Sequence, residues 1–182
     1  MTALDVAPRL TPRRREIVTA AREILEAEGE AALTMRRLAA RLGMKAPSLY
    51  KHFPDKEALE LELMVTGFEE FADVFGAAVA ADAPSPMAVL GAAYRGFARA
   101  HPHLYRLMTD RPIPRDRLPD GLELRAAAPL VQAMGSQAGA RAAWAMAHGL
   151  VMLELNGRLP ADADLDAVWA AGSDAMERIR QI

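Results

Sequence analysis

Apolar positions recur three and four residues apart almost throughout the chain, the spacing that places side chains on one face of an α-helix. Ile17, Ala21, Ile24 and Leu25 show it first. They lie between Thr11-Pro12, an N-cap followed by proline at the first helical position, and Gly29, which predicts a helix over 12–28. Thr34 opens a second helix, with Leu33 and Leu38 placed as a hydrophobic staple around its cap, and Gly43 ends it after about two turns. A short third helix over 46–52 is halted by Pro54, and Asp55 caps a long fourth one whose first turn holds Glu57 against the helix dipole. Further along, Ser85-Pro86 opens a helix to Ala100 and Pro102 a short one to Leu107. Pro112, Pro114 and Pro119 make 109–119 a loop. Helices are then expected from Asp120 to Gly135, with a kink or break at Pro129, and from Ala138 to Arg158. A last helix opens at Asp162 or Asp164 and sets Arg178 and Arg180 against its C-terminal dipole. No repeat is visible.

Composition supports helices and excludes several chemistries. The 182 residues include 38 Ala and 22 Leu against 9 Val, 5 Ile and 6 Thr, a balance that favours an all-α fold over a sheet. The absence of cysteine rules out disulfides, thiolate metal sites and cysteine nucleophiles. The longest apolar segment, Ala142 to Leu153, is interrupted by His148 and Gly149 and falls short of the roughly 20 residues that a bilayer span needs. The opening MTALDVAPRLTPRRRE carries no apolar stretch of signal-peptide type. A cytoplasmic protein with no membrane partner is expected.

The net charge of −2 conceals a division. Residues 1–56 hold eleven Lys and Arg against seven Asp and Glu, a net of +4, while the remainder is −6, and all three lysines (Lys45, Lys51, Lys56) lie close together in the basic part. A basic head suits a polyanion. Within it, TMRRLAARLGMKAPSLYKHFPDK (residues 34–56) reads as two short helices around a tight turn. Ala39 is small where they would cross, and Leu38, Leu42, Met44 and Leu49 supply a shared core. The outer face of the second helix then presents Lys45, Ser48, Lys51 and His52, with Tyr50 beside them, donors suited to a major groove and its phosphates.

Residues 13–60 resemble the DNA-binding domain of the tetracycline-repressor (TetR) family of transcriptional regulators, most of all in LYKHFPDKEAL and in TMRRLAARLGM before it. The resemblance implies double-stranded operator DNA as partner, with phosphate contacts from Thr34, Ser48, Tyr50, His52 and Lys56 and base or groove contacts from Arg36, Ala46, Pro47 and Lys51. Lys45 departs from the pattern by standing where Ser or Thr often caps the recognition helix; next to DNA it would neutralise a phosphate. Trp144, His148 and Gly149, with His101-Pro102 and Tyr105, resemble a Trp…His-Gly subgroup of the family's regulatory domains. The implied organisation is a flexible arm over 1–11, a three-helix helix-turn-helix domain over 12–54, and, joined to it by a long helix, a helical regulatory and dimerisation domain over 55–182.

Family members usually pair through their last two helices. Small residues line both here, among them Ala138, Ala142, Ala145 and Gly149 in one and Ala171, Gly172 and Ala175 in the other. Leu165, Val168, Trp169, Met176 and Ile179 add apolar area, so a homodimer through Ala142, Ala145, Gly149, Leu165, Val168, Trp169, Gly172 and Met176 is expected. Phe68, Phe71 and Phe75 form a stripe on the fourth helix. With Met64, Tyr94, Phe97, Leu104, Met108, Met134, His148 and Met152 they are the expected lining of a pocket for a small apolar effector, a role that the family resemblance implies. The four histidines and the carboxylates show no spacing for a metal, adjacent Glu69 and Glu70 diverge by about 100° on a helix, and neither G-x-S-x-G nor a phosphate loop occurs. No catalytic residue, metal or cofactor is therefore expected. The expected function is a ligand-responsive DNA-binding repressor; the alternative is a helical small-molecule-binding protein with a vestigial helix-turn-helix.

Overall fold

The computed structural model describes residues 10–80 and 83–180, and among them the chain is helical, with no strand. Residues 1–9 of the predicted arm lie outside the described residues. The chain divides into two compact units, one ending at Met64 and the other beginning at Val65.

In the first unit, α1 (Pro12–Glu28) has the predicted ends: Thr11 Oγ1 accepts from the Arg14 amide at 3.3 Å, and the Gly29 amide donates to the Leu25 carbonyl. A 3₁₀ turn at Glu30–Ala32, too short to leave a periodic trace, leads to α2 (Met35–Arg41), where Thr34 Oγ1 accepts from the Arg37 amide at 3.2 Å. Gly43 then takes φ +62°, a conformation that suits glycine, and the Met44 amide closes the turn on the Ala39 carbonyl at 2.8 Å. α3 (Ala46–Tyr50) ends two residues earlier than predicted. α4 (Lys56–Ala80) starts in this unit, its first turn capped by Asp55 Oδ1 on the Ala58 amide at 2.7 Å.

Ile17, Leu25, Leu33, Leu38, Leu49, Phe53, Leu59 and Leu63 are fully buried and form the core. Leu42 and Met44, predicted as core, are half-buried because they flank the turn rather than the helix crossing. Arg14 ties α1 to the end of α3. Its guanidinium lies 4.4 Å from the Phe53 ring centre, donates to the His52 carbonyl at 3.1 Å and pairs with Glu62 at 3.3 Å.

The second unit holds the rest of α4 with α5 (Pro86–Ala100), α6 (Pro102–Thr109), α7 (Leu122–Met134), α8 (Gln137–Leu155) and α9 (Leu165–Arg180). Ser85, Ser136 and Asp164 cap α5, α8 and α9 through their side chains. The predicted loop contains a 3₁₀ turn at Arg115–Arg117. Pro129 does not break α7, because the buried stripe of Leu122, Ala126, Pro129 and Met134 holds the helix along its length. α5 packs on α9, α8, α6 and α7, and α8 packs on α7 and α9, so α5 and α8 form the centre of the unit.

Candidate functional site

The helix-turn-helix sorts its own charges. Of the five Lys and Arg between Thr34 and His52, two are turned back onto α1: Arg37 pairs with Glu28 and Arg41 with Glu23. Arg36, Lys45 and Lys51 are exposed and make no ion pair among the described residues. Beside them Pro47 and Tyr50 are exposed, and Ala46, Ser48 and His52 half-buried. Thr34 is exposed, and its hydroxyl oxygen is taken by the cap of α2. Lys45, at the N-cap of α3, makes no capping bond.

Lys56, also predicted at a phosphate, is already engaged. Its Nζ donates to the Glu30 carbonyl at 3.2 Å and lies 3.0 Å from Glu60 Oε1, which fastens the start of α4 to the 3₁₀ turn. An ammonium carries three hydrogens, and the Glu30 carbonyl takes one of them, with Glu60 beside it as an ion-pair partner. An open depression along α1, lined by Arg15, Glu16, Thr19, Glu23 and Leu42 among others, shares no residue with the predicted pocket.

In the second unit the predicted aromatic residues do meet. Phe71 stacks on Phe75 at 4.3 Å between ring centres and meets Tyr94 at 5.4 Å and Phe97 at 5.2 Å edge-on. Phe75, Tyr94 and Phe97 are buried, and Phe71 and Phe68 half-buried. Leu104 and Met108 lie against Gly67 of α4, where an added Cβ would come within 2.6 Å of the Met108 sulfur and 3.1 Å of Leu104. Met134 is buried on α7 and Met152 half-buried on α8. Met64 belongs to the first unit.

A polar ladder adjoins the rings. Trp144 Nε1 donates to Tyr94 Oη at 3.1 Å, Tyr94 Oη lies 2.9 Å from Tyr105 Oη, and Tyr105 Oη lies 2.6 Å from His148 Nδ1. Burial pushes the Tyr94 phenol up to about 12, against the pull of its hydrogen bonds with Tyr105 and Trp144. Burial, then the neighbouring Tyr94 and Asp110, push Tyr105 upward as well. Both phenols therefore stay protonated near neutral pH. The sequence places Tyr105 only within a motif; its position in this ladder depends on contacts 11 and 43 residues away.

The predicted interface residues fall into two sets. Trp169 is 7% exposed and Met176 is buried; the Trp169 indole donates to Glu154 Oε2 at 3.1 Å. Gly172 faces Met146 and Leu150 of α8, where a Cβ would meet the Met146 sulfur at 2.6 Å. Within the chain, the packing of α9 on α5 and α8 already uses much of the apolar area of Trp169, Gly172 and Met176. Leu165 and Val168 are half-buried at the edge of the same packing. Ala142 and Ala145 are exposed, and Gly149, half-buried, has nothing within 4 Å of where its Cβ would be. Leu153, exposed four residues after Gly149 on the same helix, extends this apolar face, and Ile179 of α9 is exposed as well.

Cations left unpaired on one side of a tight two-helix turn match a polyanion, and a short helix presented in this way is how helical proteins enter a DNA groove. The fold and this face define a helix-turn-helix DNA-binding regulator. Residues 17–63 match the bacterial regulatory proteins of the tetR family, and residues 87–176 match the tetracyclin repressor-like C-terminal domain. An uncharacterized HTH-type transcriptional regulator of Mycobacterium tuberculosis, Rv0681, is 34% identical over 86% of this chain and 76% of its own length. A protein of unknown function from Rhodococcus sp. RHA1 superposes with a TM-score of 0.74 at 27% identity, covering 96% of this chain and 98% of that one. The multidrug binding protein EbrR, solved with imidazole, shares the fold with a TM-score of 0.64 at 21% identity, over 93% of this chain and 96% of that one. The chain belongs to the TetR family of transcriptional regulators, whose members bind operator DNA as dimers and typically respond to small-molecule effectors. Among the described residues no helix is long and apolar enough to cross a membrane, and no group of three or more His, Asp and Glu is placed to hold a metal.

Proposed function

We propose that this chain is a homodimeric repressor of the Trp…His-Gly subgroup, released from its operator by a small, largely apolar molecule. The observation that carries the reading is the selective pairing in the helix-turn-helix, where acids of α1 neutralise Arg37 and Arg41 but leave Arg36, Lys45 and Lys51 for DNA. In this reading Arg36, Ala46, Pro47 and Lys51 face the groove. Thr34, Lys45, Ser48, Tyr50, His52 and Lys56 hold phosphates. The functional domains run over 12–54 and 55–182, and the exposed faces of α8 and α9 meet those of a second copy. Two recognition helices must then sit about 34–36 Å apart to reach successive turns of one DNA face, so a few ångströms of spread releases the operator.

The deciding experiment is binding to DNA from the chain's own promoter region across a salt series. Lys45→Ala should weaken binding to all sequences alike and reduce the salt slope by about one per subunit. Arg36→Ala and Lys51→Ala should each relax preference at particular base pairs, by about 1–3 kcal/mol of discrimination, in a site selection. Uniform weakening would move them to the phosphate class, and salt-insensitive binding would remove the reading.

The effector site is proposed around Phe68, Phe71, Phe75, Tyr94 and Phe97, with Leu104, Met108, Met134, His148 and Met152 at its margins. Phe71 touches three of the other rings while being half-buried itself, so it is the ring that must move to admit a guest. An effector at a hundredfold excess over its Kd should stabilise the fold by about 2.7 kcal/mol. Phe71→Ala should abolish the thermal shift produced by such a compound and leave effector-free DNA binding nearly unchanged. An unaltered shift in that variant would place the effector elsewhere.

A further inference from the structure

Three arginines in succession stand in the first turn of α1, and they are used differently. Arg13 pairs with Glu16 one turn along its own helix, and Arg15 donates to the Leu10 carbonyl at 3.4 Å. Among the described residues, Arg14 alone of the three crosses to other helices. Its Nη1 donates to the His52 carbonyl, just past the end of α3, and its Nη2 to Glu62 Oε2 on α4. The Glu62 side chain is only 9% exposed, so the carboxylate that grips this fork has little water around it.

α3 depends on such an anchor. Its five residues make little more than one turn, a length at which a helix has little stability of its own, and no side chain caps its start. Leu49 and Phe53 are fully buried and fix its depth. Two anchor points still leave a rotation about the line that joins them. The bond to the His52 carbonyl, one residue after Lys51, resists that rotation.

We propose that Arg14 is a positioning residue for operator recognition: gripped by Glu62, it locks the C-terminal end of α3, and Lys51 with it, at the angle from which base pairs are read. Directional recognition needs its groups held to about 0.5 Å and 10–20°, which a single-turn helix does not achieve unaided. The Glu62 carboxylate offsets the charge of Arg14, so Arg14 serves as a strut and not as a phosphate ligand. The inference rests on the reading of α3 as the helix that enters the groove. It goes beyond that reading in assigning sequence discrimination to a residue that touches no base.

The test uses the full chain, its preferred duplex from site selection, and a scrambled duplex of equal length. Arg14→Met keeps a long unbranched side chain and removes both donated bonds. It leaves the Glu62 charge unpaired, so Arg14→Met combined with Glu62→Gln, which strands no charge, is measured beside it. At a temperature where circular dichroism shows the variant folded, the ratio of specific to non-specific affinity should fall about tenfold, the scale of one lost base contact. The salt slope of binding to the scrambled duplex should match the wild type. Repeated site selection should lose preference at the same base pairs that Lys51→Ala relaxes. An unchanged ratio in the folded double variant, with Lys51→Ala still relaxing its base pairs, would reduce Arg14 to a stability contact and overturn the proposal alone. A salt slope lower by about one per subunit would overturn it too, by making Arg14 a phosphate ligand. No base pair relaxed by Lys51→Ala would overturn the groove assignment of α3, and this inference with it.

Discussion

Ala145→Glu is expected to leave the chain folded but monomeric, with operator binding reduced on the order of a thousandfold. Ala145 is exposed on the face of α8 that carries Ala142, Gly149 and Leu153, so a larger polar side chain displaces nothing inside the chain. Substitutions of that kind usually change stability by less than about 0.5 kcal/mol. In a seam between two copies, the same carboxylate would lose water without gaining a partner. Gly149 supports the placement: nothing in its own chain lies within 4 Å of its missing Cβ, so the space there is open to another backbone. A single recognition helix makes half the phosphate contacts, which halves the salt slope and brings affinity close to the non-specific range. Sedimentation and a salt series read both effects. Trp169→Ala is the contrast. It removes a ring buried against α5 and should lower stability by about 3 kcal/mol or more while leaving the folded chains dimeric. A dimeric Ala145→Glu variant would move the seam off α8.

Local signals and long-range contacts were legible to different degrees. The ends of α1 and the start of α5 follow from Thr11-Pro12, Gly29 and Ser85-Pro86 because caps act within four residues of themselves. The helix-turn-helix was legible for the same reason, with Gly43 fixing the turn. Periodicity shows which residues of α9 are apolar but not what they pack against, so Trp169 read as a contact for a second chain. Within its own chain the structure turns it toward Glu154 and Arg95, through pairings 15 and 59 residues apart. Charge counting likewise found the basic head. It could not show which arginines would be neutralised, because Arg37–Glu28 and Arg41–Glu23 exist only once α2 lies against α1. The aromatic stripe on α4 was visible, whereas the Tyr105–His148 bond depends on bringing α6 to α8.

Glu154→Ala is expected to be among the most damaging single changes in the second unit. Its carboxylate takes two bonds from Arg95, at 2.9 and 3.1 Å, and a third from the Trp169 indole at 3.1 Å, joining α5, α8 and α9 at one point. The two charged side chains are only 11% and 14% exposed, so removing one strands the other, and breaking a buried pair in this way costs about 3–5 kcal/mol. The lower end applies because Asp166 still meets Arg95 at 2.5 Å. Glu154→Gln keeps one oxygen, enough for Arg95 Nε and the Trp169 indole but not for Arg95 Nη2, and should lose less than Ala, about 1.5–3 kcal/mol for exchanging a charged hydrogen-bond partner for a neutral one. The wild-type pH dependence checks the same node. Burial alone would raise the Glu154 carboxyl, but the bonds from Arg95 and Trp169 outweigh it and hold the group below the ordinary glutamate value. A lowered carboxyl contributes stability that is complete above the unfolded-state value, about 4.3, and is lost as pH falls through the folded-state value. Urea unfolding between pH 7 and the acid limb should therefore show wild-type stability falling in acid and the gap to Glu154→Gln narrowing with it. A gap that stays constant through that range would mean that the contribution of Glu154 does not depend on its charge.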